Sequence, residues 1–188
     1  MRENVIIAGA GGQGIMLLGK VLSTAAMIEN KFVTWLPAYG PEVRGGAAHC
    51  VTVISDTEIG SPQIKKADTL IIMNALSFEK FKERLTPKGL LILNSSLITA
   101  AGKTGKQKVL QFPFTEIAEN LGNSKIANMV ALGCYLASKK IIKIESVLKA
   151  MIELAPKGRS DLIEINKQAL LKGVGLQAQD SLTGRLND

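Results

Sequence analysis

The sequence predicts an α/β fold, a mostly parallel sheet with helices on both faces, and three observations carry that prediction. The apolar run Val5-Ile6-Ile7-Ala8 leads directly into a glycine-rich turn and then into residues spaced for a helix. Short apolar, β-branched runs alternate with helical segments through the first half, the pattern that right-handed crossovers and a parallel sheet produce. The 188 residues, 46% hydrophobic and 21% charged, have ordinary globular composition, and a chain of this length buries roughly 70% of its surface. One domain over residues 1–188 is the expected organisation, with 174–188 an extended C-terminal tail that packs on a partner.

Each element follows from local chemistry. Val5 to Ala8 is a continuous apolar run, as a strand covered on both faces requires. From Gln13 onward Ile15, Leu18, Val21, Leu22 and Ala25 recur at helical spacing, and Asn30 offers a residue that tolerates a left-handed terminus. Phe32 to Leu36 reads as a second strand stopped by Pro37, and Ala48 to Ser55 as a third. Between them lies a ten-residue loop, Pro37 to Gly46, with two prolines and three glycines. Thr69 to Met73 and Leu90 to Leu93 are further strands around a helix at Ser77 to Leu85, and Pro87-Lys88-Gly89 reads as a turn. After a short strand, Lys108 to Phe112, the chain turns helical at Thr115 to Asn120, Ile126 to Ala137, Ile144 to Leu154 and Asp161 to Lys172.

Composition narrows the function classes. A net charge of +7 and a pI near 9.5 suit an anionic ligand, an acidic protein or a phosphate backbone. The basic residues are scattered, which is the pattern of a solvated surface. With 4% aromatic residues a base-stacking platform is hard to assemble, so nucleic acid is not an expected partner. Cys50 and Cys134 belong to no metal-ligand spacing, fall on apolar elements and read as packing residues. His49, the single histidine, has no visible acidic or nucleophilic partner in the sequence. Met-Arg-Glu-Asn followed directly by a strand lacks the features of a secretory signal, and no apolar run approaches a membrane span, so a cytoplasmic location without membrane contact is expected.

Two loops carry the chemistry. Gly9-Ala10-Gly11-Gly12-Gln13-Gly14 matches GxGxxG between a strand and a helix, which makes the fold Rossmann-like and sets backbone amides at a positively polarised helix N-terminus, where a pyrophosphate can sit. The same glycines also serve close helix-to-sheet packing. The second strand ends in Thr34, Trp35 and Leu36, where a nicotinamide enzyme needs an acidic residue for the ribose. The second loop reads Tyr39-Gly40-Pro41-Glu42-Val43-Arg44-Gly45-Gly46. In a parallel sheet both loops fall at the carboxyl edge and are neighbours.

Together, GGQG at Gly11 to Gly14 and YGPEVRGG at Tyr39 to Gly46 resemble the gamma subunit of 2-oxoacid:ferredoxin (acceptor) oxidoreductases. Ile54-Ser55, Ile59-Gly60-Ser61-Pro62 and Asn128-Met129-Val130-Ala131-Leu132-Gly133 support the likeness, which runs to about residue 150. The resemblance implies a multi-subunit enzyme that oxidatively decarboxylates a 2-oxoacid and makes acyl-CoA, CO2 and reduced ferredoxin. It places thiamine diphosphate, Mg and iron-sulfur clusters on alpha, beta and ferredoxin-like delta subunits, with coenzyme A as co-substrate, ferredoxin or a similar acceptor served through the complex, and no complete active site on this chain. The loop form is most like the 2-oxoglutarate type.

The site residues implied are Gly9, Gly11, Gly12, Gln13 and Gly14 of the turn, with Tyr39, Glu42, Arg44, Gly45 and Asn128. In this reading the amides of Gly11, Gly12 and Gly14 line part of a coenzyme A site. Arg44, fixed by Glu42, meets phosphate or a partner carboxylate. Tyr39 faces the shared active site or anchors the subunit contact, and Asn128 bridges the crevice or closes the core. Other readings stand beside this one: an independent NAD(P)-binding oxidoreductase, a subunit of a branched-chain oxoacid, pyruvate or indolepyruvate enzyme, a structural subunit without a ligand, and a homodimer when isolated.

Overall fold

The computed structural model describes residues 1–38, 48–99, 106–156, 158 and 160–183. The chain runs β1 (Arg2–Gly9), α1 (Ile15–Ile28), β2 (Phe32–Ala38), β3 (Ala48–Ser55), β4 (Ala67–Ile72), α2 (Ala75–Phe81), β5 (Leu85–Asn94), β6 (Lys108–Phe112), α3 (Phe114–Asn120), α4 (Ala127–Lys139), α5 (Ile144–Leu154) and α6 (Ser160–Thr183). One six-stranded sheet has the order β2-β3-β1-β4-β5-β6. The pairs β1–β4, β4–β5 and β5–β6 are parallel, whereas β3 lies antiparallel between β1 and β2. The sheet is therefore mostly parallel, as expected, and its antiparallel member has a direct cause. The connection from Ala38 to Ala48 is too short for the dozen or more residues that a parallel crossover needs, so β2 and β3 form a hairpin.

Alternation along the strands divides the core. Val5, Ile7, Cys50, Ile54, Ile71 and Ile92 face the layer made by α1, α3, α4, α5 and α6. Ile6, Ala8, Val51, Val53, Leu70 and Ile72 face the other way, toward Phe81 of α2, Leu85 and Ile98. Among the described residues helices cover both faces unequally, the second face having the seven residues of α2, the 3-10 turn Lys82–Arg84 and the loops beside them. Each fully buried large side chain, among them Phe114, Leu18 and Ile6, contributes about 1.5–3 kcal/mol through burial.

Helix α1 buries Ile15, Leu18, Val21, Leu22 and Ala25, the stripe read from the sequence. It closes at Asn30, with φ 56°, whose N–H donates to Met27 O while Lys31 N–H donates to Ala26 O, the paired bonds of a left-handed helix terminus. Three expectations are corrected. Pro37 does not stop β2: that strand is the sheet edge, where a missing N–H costs no ladder bond. Residues 85–89 belong to β5 and contain an irregularity between the pairs Ala67–Leu85 and Thr69–Leu90, so Pro87-Lys88-Gly89 sits in a bulged strand. Of the extended tail expected at 174–188, residues 184–188 lie outside the described residues and 174–183 are helical, because α6 continues to Thr183. Its Gly173 lies against α4 so closely that a Cβ there would stand 2.0 Å from Val130 O.

Candidate functional site

The carboxyl ends of β1 and β4 form the switch point of this sheet. From β1 the chain crosses to β2 on one side through α1, and from β4 it continues into α2 on the opposite face; ligand crevices of open α/β sheets lie at such points. The glycine turn fills that position. Gly9 ends β1, packed so that an added Cβ would lie 2.6 Å from Gln13 Oε1 and 2.9 Å from Met73 Cβ. Gln13 then staples the turn: its Oε1 accepts from Ala10 N–H at 2.6 Å and its Nε2 donates to Met73 O at 3.3 Å. The side chain thus bridges β1 and the end of β4.

Gly12 and Gly14 take positive φ, 86° and 69°, which L side chains adopt at a cost of about 1–2 kcal/mol. They differ in what surrounds them. A Cβ on Gly14 would strike Asn128 Nδ2 at 2.3 Å, whereas one on Gly12 would meet nothing within 4 Å. Asn128, buried at the start of α4, donates from Nδ2 to Gly14 O at 3.0 Å, and its Oδ1 accepts from Met129 N–H at 2.9 Å. Asn128 therefore locks α4 to the N-terminus of α1 across 114 residues of sequence.

The turn is open to solvent at Gly11 and Gly12. Helix α1 has Gly14 at its N-cap, no side-chain cap and no acidic residue in its first turn. By contrast, α2 is capped by Asn74, which accepts from Ser77 N–H at 2.9 Å. The first amides of α3 are taken by Asn94 and Ser96, through Thr115 N–H and Glu116 N–H. Of these three helices starting at the carboxyl edge, α1 has no side chain on its first amides among the described residues, and its positive dipole end suits an anion.

Asn94, unread in the sequence, donates from Nδ2 to Met73 O at 3.3 Å and to Thr115 Oγ1 at 2.8 Å. Met73 O thus gathers Gln13 and Asn94 at one point of the edge. Only its place at the end of an apolar strand could have signalled Asn94. Tyr39, Glu42, Arg44 and Gly45 lie outside the described residues. The ends of their loop are placed by register: Gly9 pairs with Ala48, and Ala38 with His49, which itself pairs with Ala8. The loop accordingly leaves and re-enters the sheet on the edge that carries the glycine turn.

Three residues weighed in the sequence, Cys50, Cys134 and His49, sit in packed positions. Cys50 is buried beneath α1, donating to Ile15 O at 3.7 Å, and burial pushes its thiol up to about 12, far from thiolate chemistry at neutral pH. Cys134 is buried in α4. The His49 ring lies against the Phe81 ring, tilted by 49° with centroids 4.8 Å apart. Among the described residues no three His, Cys, Asp or Glu side chains group to hold a metal, and no helix is long and apolar enough to cross a membrane.

Comparison with known proteins gives the arrangement its family. The model of the pyruvate ferredoxin/flavodoxin oxidoreductase family matches residues 4–176. The chain is 35% identical over 177 residues to the 2-oxoglutarate synthase subunit KorC of Methanocaldococcus jannaschii, covering 92% of each. It is 34% identical over 182 residues to the ketoisovalerate oxidoreductase subunit VorA of Methanothermobacter thermautotrophicus, but spans only 38% of that longer relative. The keto/oxoacid ferredoxin oxidoreductase gamma subunit from Geobacter sulfurreducens superposes with a TM-score of 0.79 at 29% identity, over 91% of this chain and 95% of that one. The 2-oxoglutarate:ferredoxin oxidoreductase from Magnetococcus marinus, solved with 2-oxoglutarate, coenzyme A and succinyl-CoA bound, shares the fold with a TM-score of 0.84 at 19% identity, over 93% of this chain and 31% of that one. The chain therefore belongs to the pyruvate ferredoxin/flavodoxin oxidoreductase family, as a gamma subunit of the 2-oxoacid type.

Proposed function

We propose that this gamma subunit contributes the phosphate cradle for coenzyme A in a thiamine-dependent 2-oxoglutarate:ferredoxin oxidoreductase, which releases CO2, forms succinyl-CoA and reduces ferredoxin. The observation that carries the reading is the start of α1, where Gly11 and Gly12 are exposed, Gly14 is left-handed and no side chain among the described residues caps the positive end of the helix dipole. A pyrophosphate there exchanges water for backbone N–H groups already held in place, and Gln13 and Asn128 are the positioning side chains. Arg44, fixed by Glu42, adds a charge-assisted contact from the neighbouring loop, while Tyr39 anchors the partner subunit. Thiamine diphosphate with Mg, and the iron-sulfur clusters, belong to alpha, beta and delta chains in this reading; they supply decarboxylation and electron transfer there.

The choice of 2-oxoglutarate is supported by the KorC relative, which is similar to this chain over nearly the full length of both. The VorA likeness keeps a branched-chain oxoacid as the competing substrate. Purification of the native complex should bring thiamine-binding and iron-sulfur chains with this subunit, and the complex should turn over 2-oxoglutarate faster than 2-oxoisovalerate or pyruvate. A chain recovered alone would overturn the assembly, and faster turnover of another oxoacid would overturn the substrate.

A further inference from the structure

The two edges of the sheet are finished differently. At one end β6 exposes Lys108 and Gln111, the polar finish that keeps a free strand from pairing with another chain. At the other end β2 reads Phe-Val-Thr-Trp-Leu-Pro-Ala and carries no charge along its seven residues. Phe32 and Leu36 stand on one face of it, 45% and 43% exposed, while Val33 and Trp35 pack toward α1 on the other. The charge just before it, on Lys31, is drawn to Asp56 at 2.9 Å. An apolar, uncharged edge of this kind is a template for another strand.

Hydrogen-bond parity identifies the main-chain groups that β2 leaves free. Asp56 N–H donates to Met1 O, at the end of the β1–β3 ladder. Counting back along β3, Ile54, Thr52, Cys50 and Ala48 therefore bond to β1, and Ser55, Val53, Val51 and His49 to β2. The register sets the latter opposite Phe32, Thr34, Leu36 and Ala38, so Val33, Trp35 and Pro37 direct their main chain away from the sheet. Pro37 has no N–H, which leaves the donors of Val33 and Trp35.

A second copy of the strand, turned antiparallel about an axis at Thr34, answers that pattern. Val33 then faces Trp35 of the second copy, and each such pair exchanges both of its bonds. Phe32 faces Leu36 of the second copy, ring against aliphatic chain, and symmetry repeats the contact on the other side of the axis. An axis one residue away loses the match. At Trp35 it sets Val33 against Pro37, which returns no bond, and Phe32 against Ala38. At Val33 it sets Trp35 against Lys31, whose N–H is already given to Ala26 O. The strand is thus complementary to itself in one register, and the pairing closes as a dimer.

We infer that this chain pairs with a second copy of itself through β2, joining two sheets across a two-fold axis at Thr34. The experiment uses the full chain and, beside it, the assembled enzyme. By sedimentation equilibrium the full chain should have twice its 20.1 kDa mass. Phe32→Lys or Leu36→Lys, at half-exposed positions, should reduce it to the single-chain mass with its circular dichroism kept. Phe32→Lys combined with Leu36→Glu should restore the dimer, because the lysine of each copy then meets the glutamate of the other. Thr34→Cys reads the register directly: facing Cα atoms at such a pair lie about 4.5 Å apart, within reach of a disulfide. A thiol oxidant should link two chains of this variant in both preparations, and should link neither Phe32→Cys nor the wild type, whose Cys50 and Cys134 are buried. A wild-type chain of single mass, a dimer indifferent to both lysine substitutions, or failure of Thr34→Cys to link in either preparation would overturn the pairing. So would lysine variants that keep the mass of the full chain but release it from the complex, which would give the edge to a strand of a partner subunit.

Discussion

Two pairs of glycines in this chain do opposite work. In the turn after β1, Gly12 and Gly14 are required by their positive φ, and Gly12 has open space where a side chain would stand. Where α4 meets α6, Gly133 and Gly173 are ordinary helical residues required by contact: a Cβ on Gly133 would lie 2.0 Å from Leu170 O, and one on Gly173 2.0 Å from Val130 O. The first pair gives the turn its left-handed backbone, and the second removes bulk so that two helix backbones touch. A glycine in the sequence does not say which of these it serves. The difference is that damage in the α4–α6 contact is felt by the fold, and damage at Gly12 by whatever the turn binds.

The comparison breaks most visibly at Gly133. Gly133→Ala should cost about 3 kcal/mol in urea unfolding, because a backbone carbonyl cannot step aside as a side chain can; a loss under half that size would mean the helices separate easily. Gly14→Ala comes next, at about 2 kcal/mol, from left-handed strain and from displacement of the Asn128 amide off Gly14 O. Asn128→Ala combined with Gly14→Ala should recover part of that loss in a double-mutant cycle, and strict additivity would show that the two do not meet. Gly12→Ala should cost only about 1 kcal/mol, the strain alone.

The smallest effect concerns neither pair and serves as a reference. Asp56 is clasped by the N-terminal ammonium and by Lys31, both at 2.9 Å, and these hold its carboxyl at about 2, below the usual 3.8. A depressed carboxylate contributes stability that is whole above the unfolded value and is lost as pH falls through the folded one. Asp56→Asn should therefore lower the unfolding midpoint slightly at neutral pH and cease to differ from wild type near pH 2. An equal deficit at both pH values would mean that the clasp is not electrostatic.

What the sequence made legible was local. The strand–turn–helix unit, the left-handed end of α1 at Asn30 and the bounds of β3 follow from apolar spacing and from residues with special backbone preferences. The reversal of β3 was present as a loop length, since nine residues without helical pattern cannot carry a parallel crossover. The extension of α6 past Gly173 was hidden because that glycine, read as a helix end, is there to admit α4. Of the site, the glycines were visible as a motif, but the roles of Gln13, Asn94 and Asn128 depend on partners 60, 21 and 114 residues away. Neither periodicity nor spacing encodes such pairings.

The central claim, that the turn after β1 is a phosphate cradle, is tested most directly by calorimetric titration of the assembled enzyme with coenzyme A, wild type against Gly12→Val. Because nothing among the described residues lies within 4 Å of the added Cβ, the valine disturbs the turn and spares the described packing around it. The account predicts at least a tenfold weaker affinity, about 1.4 kcal/mol, in a complex that still assembles and is destabilised only by the strain of a side chain at positive φ. Unchanged affinity in such a complex would contradict it.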